Sequence, residues 1–313
     1  MTQQQRETMT QETSTSQPAG GPDAAGGTPY PDIAGTSHAT AAAAAFFRSF
    51  FTAKTSKDIE STHAHFHPAK TVYFDATLGW ALPANADVRK MWEQYMPQWP
   101  AEAKSYPTRI LGDMDSAVVF VTDTPELFGG EIRTISIVDL EDGKIVRLVD
   151  YWDARGFGVE LAGSLRVPAD SYPHDLGVSA VTSRPGPVAT AARELSAALG
   201  AGDADRAGGL FSYDAVFEDM ALRAQLRGQA AIVRYLRRAL PGLPYARASV
   251  RHVAGAGQGG GYEWRADGQP VAAGAAALEL SQNGKITKFT VVWDGSLLDG
   301  QAITALAADA VDR

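Results

Sequence analysis

The sequence predicts an α+β protein made of two tandem cone-shaped domains, each a curved, mostly antiparallel sheet wrapped by helices around a pocket. Three observations carry this. A long Ala-rich helical stretch opens each half, near 38–53 and 188–199; period-two strands follow it; and the two halves repeat one another. With a shift of 144, Val72 falls on Val216, Asp75 on Asp219, Leu78 on Leu222, Ala86 on Ala230, Pro97 on Pro241 and Pro100 on Pro244. With a shift of 141, Gly143-Lys144-Ile145 falls on Gly284-Lys285-Ile286 and Trp152-Asp153 on Trp293-Asp294. A shortened hairpin between the two blocks accounts for the change of three.

Residues 1–37 are rich in Thr, Gln, Ser, Gly and Pro. They hold too few large apolar groups to offset the cost of ordering and read as a disordered tail. Residues 38–160 form the first domain, 161–187 a Pro/Gly/Ser-rich linker and 188–310 the second domain. In each domain a short helix follows the first, ending near Phe66 or Phe211. Then come a strand (71–76; 215–220) and a helix (86–96; 230–240). In the first domain, strands near 116–123, 131–140 and 144–153 complete the set, and Glu141-Asp142-Gly143 and Gln282-Asn283-Gly284 mark tight hairpins. Helices first and an antiparallel sheet after them is the α+β pattern, and its concave face is the default ligand pocket.

A chain of 313 residues, 45% hydrophobic, is enough for two cores. The net charge of −8 argues against a nucleic-acid groove. The absence of cysteine excludes disulfides and thiolate chemistry. No apolar run approaches the ~20 residues of a membrane span, and the N-terminus lacks a secretory layout, so the expected location is the cytoplasm.

The last strand of each domain is the most informative. Phe289, Val291 and Trp293 alternate inward. Their counterparts are Leu148, Asp150 and Trp152, preceded on the same parity by Val146. Asp150 therefore interrupts an apolar face where the other domain has Val291. A carboxylate placed so is costly to ionise without a partner and is a site candidate; the alternative is an architectural ion pair. Asp153 recurs as Asp294 and reads as a strand-end cap. Asp123 ends a strand on the inward parity of Val119 and Val121 and equally suits the start of the Thr124-Pro125 turn. Tyr73 and Asp75 share one strand face; Tyr73 becomes Phe217, while Asp75 is kept as Asp219. Glu131 and Arg133 suit either an exposed pair or the pocket. Trp80, Trp92, Tyr95, Phe128, Arg133 and Trp152 are the candidate pocket lining, with core packing as the plainer role for the aromatics. His63, His65 and His67 alternate but offer no third ligand on one helix face, so no metal and no cofactor is expected. Gly255–Gly261 lacks the context of a phosphate loop and reads as a flexible turn.

On these residues the chain resembles the nuclear-transport-factor-2-like superfamily, especially SnoaL-like polyketide cyclases and the limonene-epoxide-hydrolase group, over roughly 38–160 and 188–310. The best local match is Gly143-Lys-Ile-Val-Arg-Leu-Val-Asp-Tyr-Trp-Asp153. The resemblance implies that Asp150 activates water, that Tyr73 and Asp75 hold it (Asp75 standing where the family has Asn), and that Asp123 is the acid, with Val121 where the family has Arg. In the cyclases the base instead aligns with Asp153. The implied activity is cofactor-independent acid–base chemistry of secondary metabolism on a small apolar or polyketide-like substrate. Its most concrete form is epoxide opening by water or an internal hydroxyl. Aldol-type cyclisation is the second form, and a non-catalytic ligand-binding or dimerisation module the third. The first domain is the expected catalytic one, packed on a degenerate second; homodimers are common in the superfamily, and the tandem pair can substitute for one, with or without a further homo-oligomer.

Overall fold

The computed structural model of the chain describes residues 28–311. The first half runs β1 (Gly35–Ala39), α1 (Ala41–Thr55), α2 (Ile59–His63), β2 (Val72–Asp75), β3 (Trp80–Leu82), α3 (Asn85–Tyr95), β4 (Ser105–Gly112), β5 (Ser116–Asp123), α4 (Pro125–Phe128), β6 (Ile132–Glu141), β7 (Lys144–Trp152) and α5 (Val159–Leu165). The second runs α6 (Pro187–Gly200), α7 (Ala204–Gly208), β8 (Phe211–Asp219), β9 (Ala224–Arg227), α8 (Gln229–Ala239), β10 (Ser249–Ala256), β11 (Gly259–Arg265), β12 (Ala273–Leu280), β13 (Ile286–Trp293) and α9 (Gly300–Asp309). The protein is α+β, with two separate sheets of seven and six strands.

The sheets are ordered β1-β4-β5-β6-β7-β2-β3 and β10-β11-β12-β13-β8-β9. Apart from the added β1, the order is the same in both. The pairs β2–β7 and β8–β13 are parallel in each, and the other pairs of the common strands are antiparallel. The change of shift falls mainly between β5 and β6: Val121 pairs with Thr134 but Trp264 with Gly274, a connection shorter by three residues.

Each sheet curls its inner face around its own helices. In the first half Phe47, Phe50, Phe51, Phe66, Trp92 and Leu148 share one core. In the second, Phe211, Phe217, Tyr235, Trp264, Phe289 and Trp293 share another. The outer faces pack on each other: Val118, Phe120, Ile135, Ile137, Val149 and Tyr151 meet Ala254, Ala275, Ala277 and Val292. Polar groups inside this seam are paired, as buried ones must be. Fully buried Arg147 donates to Asp139 Oδ2 at 3.2 Å, Glu263 Oε2 at 2.6 Å and the Leu176 carbonyl at 2.7 Å. Tyr151 donates to Glu263 Oε1 at 2.6 Å, and His252 Nε2 lies 2.9 Å from Asp139 Oδ1.

Three expectations are corrected. The tail to residue 37 is not wholly disordered. Tyr30 is buried, its ring stacks on Tyr106 and its hydroxyl donates to the Arg48 carbonyl, while β1 pairs with β4; residues 1–27 lie outside the described residues. The stretch 161–187 is a packed strap rather than a free linker: it buries Leu176, its Tyr172 hydroxyl donates to the Ala76 carbonyl, and Ser183 Oγ accepts from Val253 N. The run 255–261 is a strand hairpin. Gly259 is required there because a Cβ would come within 2.5 Å of His38 in β1.

Candidate functional site

Inside the first cone lies a cavity lined by Phe50, Phe51, Lys54, Phe66, Tyr73, Trp92, Val121, Asp123, Thr134, Ser136, Leu148 and Asp150. Its interior is about 30 Å³, room for one or two waters. Counted out to the mouth, the space is about 370 Å³.

The alternation of β7 aims Leu148 and Asp150 at this cavity and Val149 and Tyr151 at the seam. Val146 does not share that face. A register shift opposite Asp139–Leu140 adds a residue, and Ile145 joins the first core instead. Asp150 is the register partner of Ser136 on β6 and of Asp75 on β2. The Tyr73 hydroxyl donates to Asp150 Oδ2 at 2.8 Å, and the Ser136 hydroxyl to Oδ1 at 2.5 Å. Burial pushes the Asp150 carboxyl up from its ordinary value; the Ser136 hydrogen bond, the Lys54 charge and the Tyr73 hydrogen bond pull it back, and Asp123 adds to the rise. Burial, followed by the Asp150 charge, holds the Tyr73 phenol well above its usual range, so it stays a donor.

Across the cavity, Asp123 Oδ1 is buried with no hydrogen-bond partner and lies 3.9 Å from Lys54 Nζ. Lys54 is set by helical spacing: Phe47, Phe50, Phe51 and Lys54 form one i, i+3, i+4, i+7 stripe of α1. Its ammonium lies over the Phe51 and Trp92 rings, at 5.6 and 5.7 Å from their centroids.

Of the candidates, the fold thus brings Tyr73, Trp92, Asp123 and Asp150 together. The others lie elsewhere. Asp75 does not line the cavity: Oδ1 accepts from Thr77 N and Leu78 N, and Oδ2 from Trp152 Nε1 at 3.0 Å. Asp219 is held alike by Leu222 N and Trp293 Nε1. Both carboxylates therefore tie a turn to the last strand, which corrects the water-holding role given to Asp75. Asp153 is taken up by Arg155 and by Gly295 N at 3.2 Å. Trp152 binds Asp75 and packs edge-on to Phe157, and Trp80 donates to the Leu165 carbonyl. Tyr95 and Phe128 are exposed on the surface. Arg133 is exposed too, paired with Glu131 at 2.7 Å. Each histidine of the 63–67 run has its own neighbour: His63 meets Asn85, His65 meets Ser61 and Ser49, and His67 Nδ1 accepts from Ala69 N. Among the described residues no group of three His, Asp or Glu could hold a metal ion.

Lys54 and Ser136 were not anticipated. A lysine at the seventh position of an aromatic stripe and a serine on the inward parity of Val138 and Leu140 were the available signals. The second half has neither. Four residues before the helix cap Asp58 stands Lys54, and four before the cap Asp203 stands Leu199. In the register, Ser136–Asp150 corresponds to Ala276–Val291, and Tyr73–Leu148 to Phe217–Phe289. Phe211, Phe217, Tyr235 and Phe289 fill that second interior with ring contacts.

Comparison with curated proteins gives no match. Among solved structures, a putative ketosteroid isomerase from Kribbella flavida is 23% identical over 34% of this chain and 75% of its own, with a TM-score of 0.30. A SnoaL-like protein of unknown function from Burkholderia thailandensis is 16% identical over 36% of this chain and 100% of its own, at 0.31. An NTF-2-like protein of unknown function from Burkholderia xenovorans is 14% identical over 36% and 82%, at 0.30. No helix among the described residues is long and apolar enough to cross a membrane. Residues 192–289, from within α6 to within β13, match the family model of the SnoaL-like domain.

Proposed function

We propose that the first half is a cofactor-independent acid–base enzyme for a small neutral substrate, with Asp150 as general base, and that its most concrete reaction is the opening of an epoxide by water or by an internal hydroxyl. The observation that carries this reading is the seating of Asp150. It is the one carboxylate on the cavity floor, held by two hydroxyl donors that orient it and leave lone pairs free, with a second carboxylate and an ammonium across the cavity. A base raised by burial and a separate proton donor meet the two demands of ring opening. Aldol-type cyclisation remains the second reading, since Asp150 can equally take a proton next to a carbonyl; Asp153, engaged by Arg155, does not serve it. The small interior favours a compact substrate over a large polyketide. In this reading the second half supports the first without chemistry of its own.

The test is turnover on a panel of small neutral epoxides with one apolar ring, styrene oxide among them, beside a matched panel of ketones, with diols and aldol products separated by chromatography. Diol formation that Asp150→Asn abolishes supports epoxide opening. Aldol products alone favour the second reading, and turnover of neither class contradicts both.

A further inference from the structure

Four polar side chains meet in the first cavity and have apolar counterparts in the second half: Tyr73 against Phe217, Ser136 against Ala276, Asp150 against Val291 and Lys54 against Leu199. The first three form one hydrogen-bonded unit. Lys54 is not part of it. Its side chain is 16% exposed and is drawn into an aromatic wall, where a long, flexible cation costs most to hold. Its nearest carboxylate, Asp123, is 3.9 Å away, beyond hydrogen-bond distance, and that carboxylate keeps a buried oxygen without a partner. Cation and anion face each other across a gap that neither closes. A group placed between them could touch both.

Resting on the reading of Asp150 as base, we propose that Lys54 is the proton donor of this cavity: its ammonium binds the substrate's reacting oxygen and protonates it, with Asp123 as the facing carboxylate 3.9 Å away. The general-acid role therefore moves from Asp123 to Lys54. The step balances. Asp150 takes the proton of the attacking hydroxyl as its oxygen bonds to an epoxide carbon. The ring carbon–oxygen bond breaks, and its electron pair passes to the ring oxygen. That oxygen takes a proton from Lys54, giving the alcohol. Asp150 then holds one proton more and Lys54 one fewer, and transfer through water restores both. With one ammonium set against two carboxylates the cavity offers no surplus positive charge, so the substrate is neutral. The aromatic wall of Phe50, Phe51, Phe66 and Trp92 selects an apolar ring beside the reacting oxygen.

Binding of para-nitrophenol tests this without the substrate being known, because its phenolate absorbs differently from the phenol. At a pH where the free phenol is mostly neutral, the Asp150→Asn variant, in which one ammonium faces one carboxylate, should bind it as phenolate. Adding Lys54→Met should abolish the phenolate signal and adding Lys54→Arg keep it, with melting temperatures confirming that each is folded. The wild type, which keeps both carboxylates, should give the weaker signal. In turnover, Lys54→Met should lose about 10²–10³-fold in kcat, the usual loss for one charge-stabilising donor. Equal phenolate signals with and without Lys54→Met in the Asp150→Asn background, or no binding in that background, overturn the role of Lys54. If Asp150→Asn turns over normally while the phenolate signal still follows Lys54, the base assignment fails and the Lys54 assignment stands.

Discussion

Asp153 and Asp294 exchange the same contact across the two halves. Asp153 Oδ1 accepts from Gly295 N at 3.2 Å, and Asp294 Oδ1 accepts from Ala154 N at 3.2 Å. Each also caps its own short turn, through Arg155 N and Ser296 N. The pair is thus a reciprocal clasp between the ends of β7 and β13, which is why the Trp-Asp dipeptide stands in both halves.

Removing one side of the clasp should cost stability rather than chemistry. Asp294→Ala leaves the buried Ala154 N unpaired and removes the carboxylate partner of Arg166, a loss of about 1–3 kcal/mol. A lower urea midpoint with unchanged turnover per folded molecule is the expected result. Lost turnover at full stability would mean that Asp294 has a chemical role.

The seam between the sheets depends on Arg147. Arg147→Leu strands Asp139 and Glu263 as buried negative charges, and breaking a buried pair in this way costs about 3–5 kcal/mol. Chemical denaturation of the variant should show that loss, and part of it should return when Glu263→Gln is added. A variant as stable as the wild type would show that the seam is held by its apolar residues alone.

The two turn-tying carboxylates make stability depend on pH. Burial pushes Asp75 up to about 7 and Asp219 up to about 6 from an ordinary 3.8. The folded state therefore binds more protons than the unfolded between about pH 4 and about pH 7, and stability from these groups falls as pH rises through that window and levels off above it. Asp75→Asn and Asp219→Asn should each flatten this fall. Melting temperatures of the three proteins from about pH 5 to about pH 8 check it; parallel curves would contradict it.

Much of the fold was legible because period and repeat are local signals. Strand parity alone placed Leu148 and Asp150 inward, and the Phe289–Val291–Trp293 stripe located the second core. What was missed required knowledge of pairing. β1 is five residues without an apolar alternation, and only its parallel register with β4 makes it a strand. Tyr30 is buried by Tyr106, far along the chain. In the site, Asp150 and Tyr73 could be found by comparing the two halves at one strand each. Lys54 comes from a helix, and its distance to Asp123 depends on how α1 lies over β5. Asp75 showed the reverse error: its inward parity suggested chemistry, but the turn after β2 bends two backbone amides onto its carboxylate.

The central claim is that Asp150 is a base held by Tyr73 and Ser136, and Asp150→Asn tests it most directly. The substitution keeps the shape and removes the proton acceptor. Melting temperature and single-turnover rate on the active epoxide should be measured on the same preparation. The account predicts a rate lower by about 10²–10⁴-fold, with stability little changed or raised, since a buried charge is removed. A folded variant that turns over near the wild-type rate would contradict it, as would one that loses activity only in proportion to a lost folded fraction.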